Sequence, residues 1–220
     1  MFHNLDLNLF VIQIVTLLFA VTVHEVAHGY VASRMGDNTA RLAGRLTLNP
    51  LKHLDFIGSF LLPAILALSR SPIIFGYAKP VPVNFANLRD YRKGVIYVSA
   101  AGALANLVLA AISGALFQIA SNFESSLYIS IFRPFFIDFL NFLFYTVVIN
   151  MVLAIFNLIP VPPLDGSRIL AMFLPTPIRE QFARIERFGL IIIFVLLMTN
   201  SISKIISFII NPLLSFLLGS

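Results

Sequence analysis

The chain has 220 residues, of which 59% are hydrophobic and only 11% are charged, whereas a soluble domain is about 45–50% apolar and about 25% charged. This composition excludes an ordinary soluble enzyme. Several apolar runs have close to the roughly 20 residues that a helix needs to cross a bilayer, which predicts an all-α polytopic membrane protein. The 15 Lys and Arg residues exceed the 10 Asp and Glu residues, for a net charge of +5. They are dispersed over segment ends and short loops, which is typical of membrane proteins and argues against a nucleic-acid partner.

About five to six transmembrane or re-entrant helical segments are predicted in a single membrane-embedded domain, residues 1–220. The first, residues 7–33, follows a tail without Lys or Arg, which favours a retained helix over a cleaved signal peptide. The second, residues 56–69, is shorter than a span and contains Pro63, which favours a re-entrant or surface segment. The later segments are residues 94–120, 135–158, 188–200 and 205–218.

The polar loop at residues 70–93 contains the sequence K-P-V-P-V-N at 79–84. Its alternating prolines predict a short extended, β-like stretch rather than helix. Basic residues concentrate in this loop and in residues 34–52, and such loops face the cytoplasm. Two consecutive cytoplasmic loops agree with a segment at 56–69 that enters the membrane and returns.

The first segment contains H-E-V-A-H at residues 24–28, and residues four apart project from one face of a helix. His24 and His28 can therefore bind one metal ion, for which neutral imidazole favours Zn²⁺, and Glu25 is adjacent to take a proton from water. The alternative is that these are core histidines bonded to neighbouring helices. Three ionisable groups within five residues are costly in a membrane, which favours the functional interpretation.

A third ligand for such a metal can be sought among the acidic residues. Asp165 follows three prolines at the end of an apolar segment, and broken backbone at that depth is tolerated where it lines a cavity. The alternative is that Asp165 caps the helix that begins near Gly166.

These residues resemble the site-2 proteases, zinc metalloproteases that cleave substrates within the membrane. The sequence at 24–29 is similar to the family's zinc helix, and residues 157–166 are similar to its N-x-x-P-x-P-x-L-D-G pattern. Residues 36–55 and 76–84 resemble the compact prokaryotic branch, which lacks an appended PDZ domain. Ala103 and Phe56 depart from the family, which commonly has proline at both positions.

The resemblance implies one Zn²⁺ per chain, held by His24, His28 and Asp165, with Glu25 as the general base. It implies hydrolysis of peptide bonds in transmembrane protein or peptide substrates. The implied location is the prokaryotic cytoplasmic membrane, in contact with the lipid bilayer and with the active site toward the cytoplasmic side.

Further residues are candidates for holding the substrate or its developing oxyanion. Asn157 precedes the broken helix and can donate to an oxyanion or substrate backbone, or equally satisfy a carbonyl of that helix. Residues 81–84 can present an edge to an extended substrate. His53 can line the site or lie in an interfacial loop. The candidates are Asn157, Val83, Asn84 and His53, together with Asn106 in a segment that resembles the family's G-P-x-x-N.

Two non-catalytic alternatives remain open at this point. A transporter or channel could use intramembrane His, Glu and Asp to bind an ion or relay protons. A protein of the protease fold could also serve as an inactive membrane adaptor. Replacing Glu25 by glutamine should keep the metal and abolish proteolysis in a protease, but it should leave any binding role of an inactive adaptor largely intact.

Overall fold

A computed structural model describes residues 6–55, 58, 61, 79–123, 132–199 and 201–219. All regular structure in these residues is helical, which confirms the predicted all-α class for the described ranges. Three helices are long and apolar enough to cross a membrane, and a shorter apolar helix lies near the C-terminus. The chain is therefore a polytopic membrane protein. Apart from Gly58 and Leu61, the segment predicted at 56–69 lies outside the described residues.

Three long helices form the centre of the molecule: α1 (Leu7–Met35), α3 (Tyr91–Ser121) and α4 (Arg133–Leu158), with a short helix α2 (Thr39–Leu42) after the first. They coincide with three predicted segments. The long helices contain 29, 31 and 26 residues, and at about 1.5 Å per residue each exceeds the roughly 30 Å of a hydrocarbon core. They pack against one another through small, fully buried side chains, Ala20, Ala103 and Ala154, which let membrane helices approach closely.

The predicted helix break separates α4 from α5 (Asp165–Ala171). Pro160, Pro162 and Pro163 prevent helix from continuing through the turn, because proline lacks an N–H and restricts the residue before it. The turn is tight: a Cβ at Gly166 would collide with the carbonyl oxygen of Leu158. The reversal brings the first residue of α5 back toward α1.

The C-terminal part consists of α6 (Thr176–Ile185), α7 (Gly189–Met198) and α8 (Ser201–Leu218). The last two helices occur where apolar segments are predicted, although the ten residues of α7 are fewer than a full span needs. Helix α8 packs on α3 and α4, and a Cβ at Gly114 would lie 2.9 Å from the carbonyl oxygen of Leu217. The polar helix α6 is not among the predicted segments.

The loop at residues 79–88 is attached to the end of α1 by Asp37. This carboxylate is fully buried and accepts hydrogen bonds from Thr39, from the Asn84 N–H and from the Asn87 side chain. Burial acts to raise the pKa of Asp37, but these hydrogen bonds outweigh it and hold the pKa below its usual value. The carboxylate therefore stays charged at neutral pH and positions the loop beside α1. The loop contains no strand in its described residues.

Candidate metal centre

Helix α1 presents His24 and His28 one turn apart on the face that meets α5. Their Nε2 atoms lie 3.0 Å from each other. The Oδ2 atom of Asp165 lies 3.2 Å from the His24 Nε2 and 3.1 Å from the His28 Nε2. The structure thus brings together the three residues that the sequence suggests as ligands. Asp165 is the first residue of α5, and its neighbour Leu164 occupies the cap position without a side-chain cap bond.

The outer nitrogen of each imidazole is held by α3. The His28 Nδ1 lies 2.7 Å from the carbonyl oxygen of Val98, and because a carbonyl only accepts, this nitrogen carries the hydrogen. The His24 Nδ1 lies 3.0 Å from the Asn106 Oδ1. Each neutral ring then has a lone pair, and no hydrogen, on its inner Nε2.

A chain of buried amides determines which way Asn106 points. The Asn150 Nδ2 donates to the Thr146 carbonyl oxygen at 2.8 Å, so its Oδ1 faces Asn106 and accepts from the Asn106 Nδ2 at 3.0 Å. Both asparagines are fully buried. The Asn106 Oδ1 is thereby turned toward His24, which must donate from Nδ1. Asn150 and Asn106 are positioning residues for the imidazole of His24.

Three electron pairs therefore converge without a hydrogen between them. The Asp165 Oδ2 is buried without a hydrogen-bond donor, and the two Nε2 atoms that face it have no hydrogen to offer. Such an arrangement needs a cation. Tetrahedral zinc bonds of about 2.0–2.2 Å place neighbouring ligand atoms about 3.3–3.6 Å apart, a few tenths of an ångström more than the 3.0–3.2 Å separations here. The His-His-Asp donor set therefore fits Zn²⁺.

Gly102 of α3 makes room for the two imidazoles. A Cβ at this position would lie 2.5 Å from the His24 Cε1 and 2.6 Å from the Nε2 atoms of His24 and His28. Real Cβ atoms do not approach this closely, and the atoms involved are the metal-binding nitrogens themselves. Glycine at this position is therefore part of the site, although it has no functional group.

Glu25 lies in the same cavity as the three ligands but outside the ligand group. The cavity has a volume of about 390 Å³, and its wall includes Glu25, His24, His28 and Asp165. The Glu25 Oε2 accepts a 2.7 Å hydrogen bond from the Val81 N–H. This bond fixes the orientation of the carboxylate in the wall of the cavity.

The remaining predicted site residues occupy different places. Asn157 and Val83 line the cavity, and the Asn157 Nδ2 uses one hydrogen to satisfy the Leu153 carbonyl oxygen at 2.9 Å. Asn106, as described, lies behind His24 and does not line the cavity.

Two loop candidates have local structural partners instead. The Asn84 side chain accepts from the Ala86 N–H at 3.1 Å and so caps the short turn Phe85–Asn87. His53 is buried, and its Nε2 binds the Thr47 carbonyl oxygen at 2.9 Å. Neither side chain lines the cavity.

Asn150, Gly102 and the Val98 carbonyl are parts of the site that the sequence reasoning misses. For Asn150 a signal exists: an amide in the middle of an apolar helix is costly unless it has a partner. Gly102 and the Val98 carbonyl become evident only when α3 is packed against α1.

Replacing Asn150 by leucine should lower zinc affinity about 10–100-fold, because Asn106 would be free to turn its amide toward His24. The measurement is a zinc titration against a competing chelator in detergent. Thr146→Val is the matched control, since the Thr146 hydroxyl donates to the Phe142 carbonyl oxygen at 2.7 Å and takes no part in the amide chain. This substitution should leave zinc affinity unchanged. Equal zinc affinities in the two variants would show that Asn150 does not position the imidazole of His24.

Comparison with known proteins yields one family and several bacterial relatives. Residues 12–200 match the model of peptidase family M50. "Putative zinc metalloprotease YwhC" of Bacillus subtilis is 36% identical, over 94% of this chain and 96% of that protein. "Putative zinc metalloprotease Rip2" of Mycolicibacterium smegmatis is 31% identical, over 90% of this chain and 70% of that protein. No solved structure matches the chain closely enough to count as related.

Proposed function

Since the chain belongs to peptidase family M50, the site-2 protease family, we propose that it is a zinc-dependent endopeptidase that cleaves transmembrane substrates within the bilayer. The observation that carries this proposal is the convergence of the His24, His28 and Asp165 ligand atoms beside the Glu25 carboxylate, in one cavity among apolar helices. Lipid supplies neither water nor a nucleophile, so a protease in a membrane must hold both in such a cavity.

His24, His28 and Asp165 would hold one zinc ion, which supplies Lewis-acid activation of water and of the scissile carbonyl when bound. The Glu25 carboxylate takes the proton of the attacking water and delivers it to the leaving amine nitrogen. Asn157 lines the same cavity and has a second amide hydrogen with which to bind a substrate carbonyl.

The loop at residues 79–84 has one backbone N–H to offer an extended substrate. Pro80 and Pro82 have no N–H, and the Lys79 N–H donates to the His53 carbonyl oxygen. The N–H groups of Val81 and Asn84 bind Glu25 and Asp37. The Val83 N–H is left beside the cavity that Val83 lines. We assign it to a carbonyl of the substrate backbone.

Replacing Val83 by proline should slow cleavage about tenfold without loss of zinc, because it removes that single hydrogen bond to the substrate. Val83→Ala keeps the N–H and is the control. The readouts are kcat/KM on a cleavable peptide and bound zinc. Equal turnover by the proline and alanine variants would refute the assignment.

We place the active site toward the cytoplasm, because the ends of α1, α3 and α4 that meet at the metal centre adjoin loops rich in Lys and Arg. The chain has no cysteine, so single cysteines report topology without background. Glu180→Cys in intact cells should resist an impermeant maleimide, whereas Asn122→Cys at the far end of α3 should react. If Glu180→Cys reacted and Asn122→Cys resisted, the active site would face away from the cytoplasm.

The function itself is tested with purified protein in lipid nanodiscs and a panel of single-span peptides. Hydrolysis that stops with a zinc chelator and returns with added zinc is the expected result. Zinc-loaded, folded protein that hydrolyses no peptide in the panel would count against an endopeptidase.

A further inference from the structure

A second cavity of about 280 Å³, here named the side cavity, adjoins the catalytic cavity. The two share Phe85 and Arg168 as wall residues. Arg168 lies one helical turn beyond the ligand Asp165 on α5. The far wall is α6, which contributes Arg179 and Phe182, and Tyr91 of α3 completes an aromatic lining.

The two arginines of the side cavity differ in how their charges are balanced. The Arg168 guanidinium lies 3.1 Å from the Glu186 Oε1 and 5.5 Å from the centre of the Phe85 ring. Arg179 makes one long hydrogen bond of 3.4 Å, to the Thr176 Oγ1, and within the described ranges no carboxylate lies at ion-pair distance from it. The wall of the side cavity thus contains two arginines and one glutamate, Glu186. Arg179 is its half-buried cation without a carboxylate partner in the described ranges.

Resting on the proposed function, we propose that the side cavity is a substrate subsite that binds an acidic side chain near the cleaved bond, with Arg179 as its partner. Residues 80–83 and helix α5 border the catalytic cavity, and Phe85 and Arg168 belong to the walls of both cavities, so a peptide bound in the catalytic cavity lies close to the side cavity. A half-buried guanidinium binds a carboxylate more strongly than an exposed one does. The site would therefore select substrates by charge.

The test measures binding in the Glu25→Gln background, so that it does not depend on turnover. The probes are fluorescent single-span peptides with one Asp, Ala or Lys scanned through the segment beside the apolar stretch, and the protein is held in nanodiscs of neutral lipid. At one or two adjacent positions, Asp should bind about five- to tenfold more tightly than Lys. Arg179→Ala should abolish this preference, and Arg179→Glu should reverse it.

Arg184→Glu is the matched control, because Arg184 is on the same helix, is exposed and lies outside the cavity wall; it should keep the preference for Asp. Equal affinities for the three peptide series, or a preference that survives Arg179→Glu, would overturn the subsite. A preference that appears only when anionic lipid is added would assign the cavity to a lipid headgroup and equally overturn it. Hydrolysis by the wild type is measured separately, so its absence counts against the protease and not against the subsite.

Discussion

Glu25→Gln should abolish peptide hydrolysis while the protein keeps its zinc. Glutamine is nearly isosteric with glutamate, but it cannot take a proton from water, and loss of a general base lowers rates about 10²–10⁴-fold. Its side-chain oxygen can still accept the hydrogen bond from the Val81 N–H, so the loop should stay in place. Because Glu25 is outside the ligand group, zinc content should not change.

The measurement pairs kcat/KM on a cleavable transmembrane peptide with zinc content of the same preparation. Glu180→Gln is the control, a surface glutamate on α6 whose loss of charge should leave hydrolysis at the wild-type level. Hydrolysis by the Glu25→Gln variant within a fewfold of wild type would exclude the carboxylate as base. Under the inactive-adaptor alternative, the substitution would leave partner binding intact and there would be no hydrolysis to lose.

Gly102→Ala should remove zinc from the protein, although the substituted residue donates no ligand. The added methyl group would lie 2.5–2.6 Å from both imidazoles, and relief requires a ring to rotate or α3 to move away from α1. Either movement breaks the His28 bond to the Val98 carbonyl oxygen or the His24 bond to Asn106. Zinc affinity should fall at least about 100-fold, and activity should fall with it.

Gly114→Ala separates loss of zinc from general damage to helix packing. Gly114 is on the same helix, and its Cβ would press on the Leu217 carbonyl oxygen of α8 at 2.9 Å. This control should lower the thermal midpoint of the protein and leave zinc affinity unchanged. If Gly102→Ala retained wild-type zinc affinity, the close approach of α3 to the ligands would be wrong.

Local sequence is enough to predict the parts of the site that depend on one helix or on one helix end. The spacing of His24 and His28 is enough to place both imidazoles on one face of α1. The prolines before Asp165 are enough to predict a helix end there. That these two features meet in space depends on the packing of α1 against α4, which apolar composition alone does not specify.

Other residues could not be predicted because their roles arise between helices. Asn106 has a side-chain amide that could bind a substrate. In the packed structure this amide faces His24 and not the cavity. Gly102 acquires its role only when α3 lies against the imidazoles. Arg179 is on helix α6, whose amphipathic pattern is typical of a surface helix. The pattern does not say which part of the chain this helix faces, so the side cavity is visible only in three dimensions.

The central claim is that His24, His28 and Asp165 form one zinc site, and elemental analysis of detergent-purified protein tests it most directly. Wild type and Glu25→Gln should each contain about one zinc per chain, the stoichiometry of a single tetrahedral site, whereas Asp165→Ala should contain much less. The absence of zinc from folded wild-type protein, even after zinc is added back, would contradict the account, and so would full zinc occupancy in Asp165→Ala.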